Sequence, residues 1–183
     1  YVTLSANFLV GICAFLPFPG WQKMVAFLSS ASILSYGIGP ICLLALRKIQ
    51  PEQRRPFKLL GSLFFCNIAF YVCNLMLYWC GFSVIWKLCL AILFGFIIYL
   101  CYQKRNFWSG NYSLYWFFSY ITVLLLLSYL GPFGGIARLK FPFGMLIIFP
   151  FSLLMLYLSQ YCLVRDQAEK ESFDLMNKQL QDL

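Results

Sequence analysis

The sequence contains no histidine, and only six of its 183 residues are acidic. Five of these acids lie within residues 165–183, and the sixth, Glu52, lies in a basic loop, so the long apolar segments carry no carboxylate. A serine or cysteine nucleophile needs a nearby base, and a proton relay inside a bilayer needs an ionisable group. The apolar segments therefore argue against an intramembrane protease and against a self-contained proton channel.

Motifs for metals and nucleotides are missing as well. Eight cysteines are present, but no two have CxxC spacing, and there is no histidine to complete a zinc site. No glycine-rich phosphate-binding loop occurs, so the sequence does not indicate an ATP-hydrolysing domain. We expect no cofactor and no metal. Cys66, Cys73 and Cys80 recur every seven residues, which favours packing on one helix face over a thiol ladder.

Apolar residues dominate what is present. The chain is 62% hydrophobic and 20% aromatic, with 11% charged residues and a mean hydropathy of +0.77. Soluble domains carry about a quarter charged residues. The net charge of +8 comes from lysines and arginines in short loops, which orient membrane helices, so we expect no nucleic-acid partner.

Six apolar segments are long enough, or nearly so, to be membrane helices. They cover residues 2–16, 24–46, 59–80, 84–102, 112–130 and 142–164. The predicted fold class is all-α, a polytopic membrane helix bundle of about six spans over residues 1–164. The chain opens at Tyr1 without a signal peptide, and we interpret it as the C-terminal part of a longer protein.

The distribution of basic residues predicts the orientation. The loop at 47–58 carries five of them, so the positive-inside rule places this loop on the cytoplasmic side. We expect the membrane to be the inner (plasma) membrane of the cell. Because successive loops lie on alternate sides of the membrane, residues 165–183 then form a cytoplasmic C-terminal tail. A frayed, solvated tail and an amphipathic helix are equal alternatives for this segment. The helix is suggested by apolar residues that recur at helical spacing: Phe173, Met176, Leu180 and Leu183.

Polar residues inside the spans form two patterns. Ser29, Ser32 and Tyr36 lie at i, i+3 and i+7, so they share one face of the second span. This face either borders a substrate pathway or packs closely against another helix. Asn67 and Asn74 share a face of the third span, and because amides in lipid need partners, we expect that face to point into the bundle.

The end of the second span and the loop after it resemble a known family. Residues 36–47 are YGIGPICLLALR, and Pro51, Arg55, Pro56 and Phe57 follow. This resembles the pattern of the amino acid–polyamine–organocation (APC) superfamily of permeases, with arginines anchoring a cytoplasmic loop and prolines interrupting helices. Residues 17–21 (PFPGW) and 129–135 (YLGPFGG) are similar to those of bacterial members.

The resemblance implies a fold of two inverted five-helix repeats, of which this chain is the last six helices, as in the fourteen-helix aspartate–proton symporter branch. The main substrate site would lie on broken helices upstream. Ser29, Ser32 and Tyr36 would lie on the tenth helix, beside the pathway. The implied function is secondary transport of amino acids across the cytoplasmic membrane, by proton coupling or exchange.

The implied partners are an amino acid substrate, the lipid bilayer and the N-terminal helices of the same protein. Two alternatives stay open: a membrane-embedded enzyme that modifies lipids or glycans, and a membrane scaffold that does not transport. The sequence offers no catalytic cluster for the first of these, and helices upstream of this chain would decide the second.

Overall fold

A computed structural model describes residues 1–15, 20–54, 56, 60–102, 112–139 and 142–181. These residues form six helices and no strand: α1 (Val2–Phe15), α2 (Trp21–Ile49), α3 (Ser62–Cys80), α4 (Phe82–Tyr102), α5 (Tyr112–Leu130) and α6 (Phe143–Gln181). The helices α2 to α6 are long and apolar enough to cross a membrane. The predicted all-helical membrane bundle is therefore confirmed. The helix α1 has 14 residues, or about 21 Å at 1.5 Å per residue, which is less than a bilayer core.

The helix α6 is longer than the sixth predicted span. It continues through residue 164, where the sequence analysis began a separate tail, and ends at Gln181. The backbone at Phe173, Met176 and Leu180 is therefore helical, but their side chains and all of Leu183 lie outside the described part of the chain. How the tail packs stays a prediction.

Much of the apolar surface of the bundle faces outward. In each of the five candidate spans, less than two fifths of the most apolar window is buried, and in α4 the share is 11%. The outward residues of α4 include Leu93, Phe94 and Ile97. Such a surface is expected of a multi-pass membrane protein, because lipid or further helices solvate it.

Hydrogen bonds centred on Asn74 join three helices. Asn74 is fully buried on α3, and its amide nitrogen donates to the Phe70 carbonyl at 3.0 Å and to Ser152 Oγ on α6 at 3.1 Å. The Tyr120 hydroxyl on α5 donates to Asn74 Oδ1 at 2.6 Å. The structure thus places Asn74 inside the bundle, in the role expected for it.

Aromatic rings extend this contact between α5 and α6. The Tyr120 ring stacks between Trp116 and Phe151, with centroids 5.5 and 6.0 Å away. Trp116 Nε1 donates to the Met155 carbonyl at 2.8 Å. Both polar aromatic side chains in the stack therefore have hydrogen-bond partners, as buried tyrosine and tryptophan require.

We call the opposite extremities of the bundle the basic end, which carries Arg47, Lys48 and Arg165, and the glycine end, which carries Gly81, Gly131 and Gly135. At the glycine end, the Phe82 amide donates to the Phe133 carbonyl at 2.9 Å, which ties the α3–α4 turn to the segment after α5. Gly81 has a φ of +85°, and a Cβ there would lie 2.8 Å from the Phe133 oxygen. Glycine is thus needed at this crossing of two backbones.

Candidate functional site

The polar stripe on α2 faces away from the other described helices. Ser29, Ser32 and Tyr36 are all exposed, and Tyr36 is 71% exposed. Ser32 Oγ donates to the Leu28 carbonyl at 3.1 Å, so this hydroxyl is satisfied within its own turn but can still accept. The structure brings the three predicted residues together on one uncovered face, and their role in a substrate pathway stays a prediction.

A proline interrupts the helix beside this stripe. Pro40 lies within α2 and has no N–H, so it cannot donate to the carbonyl of Tyr36, four residues earlier. Tyr36 is the sixteenth of the 29 residues of α2, near the middle of the span. The stripe thus combines serine and tyrosine hydroxyls with a backbone carbonyl that lacks its usual helical donor. A Cβ on Gly39, one residue before the proline, would meet nothing within 4 Å, so the stripe is open there.

The opposite face of α2 is closed against α3 and α6. Ser30 is fully buried and donates to the Phe27 carbonyl at 2.7 Å. Gly37 lets the Phe70 and Cys73 side chains approach, at 3.8 Å from an ideal Cβ. Gln160 of α6 is buried, and its amide nitrogen donates to the Ile41 carbonyl at 3.0 Å. The buried contacts fix the rotation of α2, and therefore the direction in which the stripe points.

The residues of the predicted loop motif are only partly described. The Arg47 guanidinium donates to Ser62 Oγ, which ties the end of α2 to the start of α3. Pro51 and Pro56 are exposed in the connection between them. Arg55 and Phe57 lie outside the described residues. Arg47 thus contacts the start of α3 at the basic end, and its interpretation as an anchor of a cytoplasmic loop stays a prediction.

Asp166 has a role that sequence analysis missed. It is 8% exposed, accepts from the Tyr112 and Ser113 amides at 2.7 and 2.9 Å, and accepts from the Ser113 hydroxyl. It therefore caps the first turn of α5, which has no acidic residue of its own. The only signal was its position at the end of a long uncharged run. The sequence analysis grouped Asp166 with the other acidic residues of the C-terminal tail instead.

The neighbouring Arg165 strengthens this junction. Its guanidinium lies 4.3 Å from the centre of the Tyr112 ring and donates to the Tyr161 hydroxyl at 3.4 Å. The end of α6 thus holds the start of α5 through a capping carboxylate and a cation–π contact. In the described part of the chain, no group of three His, Cys, Asp or Glu residues is placed to hold a metal ion.

Asn67 has different surroundings from Asn74, although both were expected to point into the bundle. It is half-buried and lines a groove of about 240 Å³ between α2, α3 and α6, next to Gln160. The seven-residue spacing predicted a shared face but not that one amide would lie in the core and the other beside an open groove.

Two curated bacterial proteins are similar to this chain. The chain is 32% identical to the aspartate–proton symporter of Bacillus subtilis (strain 168) over 171 residues, which cover 87% of the chain and 32% of that protein. It is 30% identical to the glutamate/serine transporter AimA of the same organism over 154 residues, which cover 81% of the chain and 29% of that protein.

The chain thus matches about a third of the length of each of these curated relatives. No protein-family model and no solved structure matches it significantly. The sequence-based resemblance to amino acid permeases is confirmed by the two relatives, since both are named as amino acid transporters.

Proposed function

We propose that the full-length protein carrying this chain is a secondary transporter of amino acids in the plasma membrane. The observation that carries the proposal is the similarity to two named amino acid transporters over more than four fifths of the chain. The multi-pass helical bundle supports it. Both names include an acidic amino acid, which makes aspartate and glutamate the first substrates to test. We propose coupling to protons, or exchange, as the driving force, and a cytoplasmic C-terminus.

The α2 stripe is proposed to border the substrate pathway. Its support is the combination of exposure and polarity: Tyr36 is 71% exposed near the middle of a span, where an unneeded hydroxyl is costly. The rest of the protein would cover this face, because about two thirds of each relative lies outside the matched region.

The stripe alone does not complete a site for an acidic amino acid. Its serines and tyrosine can hydrogen-bond a carboxylate or an ammonium group, but none of them carries a charge to balance either. We therefore assign the stripe to orientation of the substrate, and the charge-balancing part of the site to helices outside this chain.

Uptake by the reconstituted full-length protein tests the function. Proteoliposomes would receive labelled aspartate, glutamate, serine and a neutral apolar amino acid, each with and without an imposed proton gradient. Gradient-stimulated uptake of the acidic amino acids supports a symporter, and uptake only against internal amino acid supports an exchanger. Folded protein that shows neither uptake nor exchange would refute the proposal.

Conservative variants test the stripe. Tyr36→Phe and Ser32→Ala each remove one hydroxyl, so we expect KM to rise about three- to tenfold, as for loss of about one hydrogen bond. Tyr99→Phe on α4 is the matched control, because Tyr99 is also an exposed membrane tyrosine but lies on another helix. If both stripe variants take up substrate as the control does, the stripe packs against other helices rather than bordering the pathway.

A further inference from the structure

Two adjoining grooves run along α6 at the basic end of the bundle. The first has a volume of about 240 Å³ and is lined by Leu44, Lys48, Leu63, Asn67, Leu153, Leu156, Tyr157 and Gln160. The second has a volume of about 310 Å³ and adds Tyr161, Val164, Arg165 and Ala168 to Lys48, Tyr157 and Gln160. Because three residues line both, we treat them as one feature, the α2–α6 groove.

The groove changes from apolar to cationic along its length. Its inner part is lined by Leu153 and Leu156, Leu44 lies one turn of α2 inward from Lys48, and its mouth is lined by Lys48, Arg165 and Leu63 of the first turn of α3. Arg165 is 12 residues after Leu153, or about 18 Å along the helix. The groove therefore reaches from one polar boundary of the span to about the middle of the hydrocarbon core.

The length of α6 is compatible with a position of Arg165 at the depth of the lipid phosphates. Arg165 follows the first residue of α6 by 22 positions, or about 33 Å, which is close to the thickness of the hydrocarbon core. Lys48 is in the last turn of α2, at the same end. Tyr157 and Tyr161 beside them are 70% and 58% exposed, and such tyrosines are typical of the membrane–water interface.

Among the described residues that line the groove there is no acid to neutralise these cations. On α6, Asp166 is committed to the first turn of α5 and Glu169 is exposed one turn after Arg165, while Glu52 is exposed in the connection that follows Lys48. Arg165 uses the face of its guanidinium on Tyr112 and one N–H on Tyr161, so further N–H groups remain for a ligand.

We propose that the α2–α6 groove binds an anionic phospholipid. Lys48 and Arg165 hold the phosphate, and one acyl chain lies against Leu44, Leu153 and Leu156. A soluble anion would explain the two cations but not the apolar walls that continue inward from them. Basic pockets between membrane helices recognise lipid headgroups in this way. The proposal is independent of the substrate that the protein transports.

Lipid binding to the purified full-length protein tests this inference. Native mass spectrometry would compare phosphatidylglycerol with phosphatidylcholine of the same acyl chains, with inorganic phosphate as a competitor. We expect preferential retention of phosphatidylglycerol and no displacement by millimolar phosphate. Equal retention of the two lipids, or displacement by phosphate alone, would overturn the proposal.

Charge variants locate the site. Lys48→Gln and Arg165→Gln are each expected to lower the preference for phosphatidylglycerol about fivefold, whereas Lys48→Arg keeps it. Lys23→Gln and Arg138→Gln are the matched controls, since both residues are exposed cations towards the other end of the bundle. If the controls lower the preference as much as the groove variants do, the attraction is general and the groove is not the site.

The unmodified protein provides a test that does not depend on the folding of any variant. Because both contacts to the phosphate are ionic and interfacial, raising the salt from about 0.05 to 0.5 M should reduce the preference for phosphatidylglycerol severalfold. A preference that salt leaves unchanged would contradict the proposed role of Lys48 and Arg165.

Discussion

Substitution of Gly144 tests the packing of the glycine end. The Tyr78 ring is 2% exposed and lies between Gly131 and Gly144. A Cβ on Gly144 would lie 2.3 Å from the Tyr78 hydroxyl oxygen and 2.9 Å from Cζ, and one on Gly131 would lie 2.7 Å from the same oxygen. The ring also packs edge-on against Phe133 at 5.8 Å. The ring therefore has little room to move away from an added methyl group.

We expect Gly144→Ala to destabilise the protein by about 1–2 kcal/mol. Alanine in place of a helical glycine contributes at most about 1 kcal/mol of stability, and less in the first turn, where Gly144 lies. The overlap with the tyrosine exceeds 1 Å, and overpacking of this kind costs about 1–3 kcal/mol. The steric cost is therefore the larger of the two effects.

Tyr78→Phe should relieve part of this cost. The hydroxyl has no hydrogen-bond partner among the described residues, so its removal should change the free energy of unfolding by less than about 0.5 kcal/mol. In the double variant, the ring atom nearest to the added Cβ is Cζ of residue 78, at 2.9 Å, so the steric cost is only partly removed. We expect a coupling free energy of about 1 kcal/mol between the two substitutions.

The assay is unfolding of the full-length protein in detergent, with the wild type, both single variants and the double variant compared. Gly95→Ala on α4 is the control, because a Cβ there meets nothing within 4 Å. It should be neutral or slightly stabilising. The reasoning is refuted if Gly144→Ala is as stable as Gly95→Ala, or if Tyr78→Phe leaves the effect of Gly144→Ala unchanged.

Two further predictions concern the junctions between helices. A double-mutant cycle of Asn74→Ala and Tyr120→Phe, measured by unfolding in detergent, should give a coupling of about 1 kcal/mol, because their 2.6 Å hydrogen bond is buried; a coupling near zero would contradict it. Asp166→Ala should cost about 1 kcal/mol and speed hydrogen exchange at the start of α5, with Ser113→Ala having a smaller effect because the amide contacts remain. Unchanged exchange at residues 112–116 in Asp166→Ala would show that the cap does not hold the helix.

The helices could be predicted from the sequence because they depend on local properties. Uncharged runs of span length, bounded by proline and glycine, specify α2 to α5 to within a few residues. Asn74 was placed inside the bundle for a similar reason, since a polar amide in an apolar run must find a partner. These inferences use one segment at a time and need no knowledge of its neighbours.

Contacts between segments could not be predicted in this way. Asp166 caps a helix that begins 54 residues earlier, and Gln160 bonds to a carbonyl 119 residues earlier in the chain. Helical periodicity gives the face of a residue but not the helix that covers that face or the depth at which it lies. The continuity of the sixth span with the tail in one helix could not be predicted for a related reason, because charged residues after 164 end the apolar run but do not end the helix.

The two faces of α2 have different tasks, and this difference connects the fold to the proposed function. The buried face is held by packing around Gly37 and by the bond from Gln160, so α3 and α6 fix the helix in one orientation. The outward face exposes the Tyr36 side chain, and the Tyr36 carbonyl lacks its usual helical donor because Pro40 has no N–H. Substitutions on the buried face of α2 should therefore lower the free energy of unfolding. Removal of a hydroxyl from the stripe should instead change uptake and leave the free energy of unfolding unchanged. If the stripe instead packs closely against other helices, Tyr36→Phe should lower the free energy of unfolding and leave KM unchanged, so comparing KM with the free energy of unfolding for this variant separates the two interpretations.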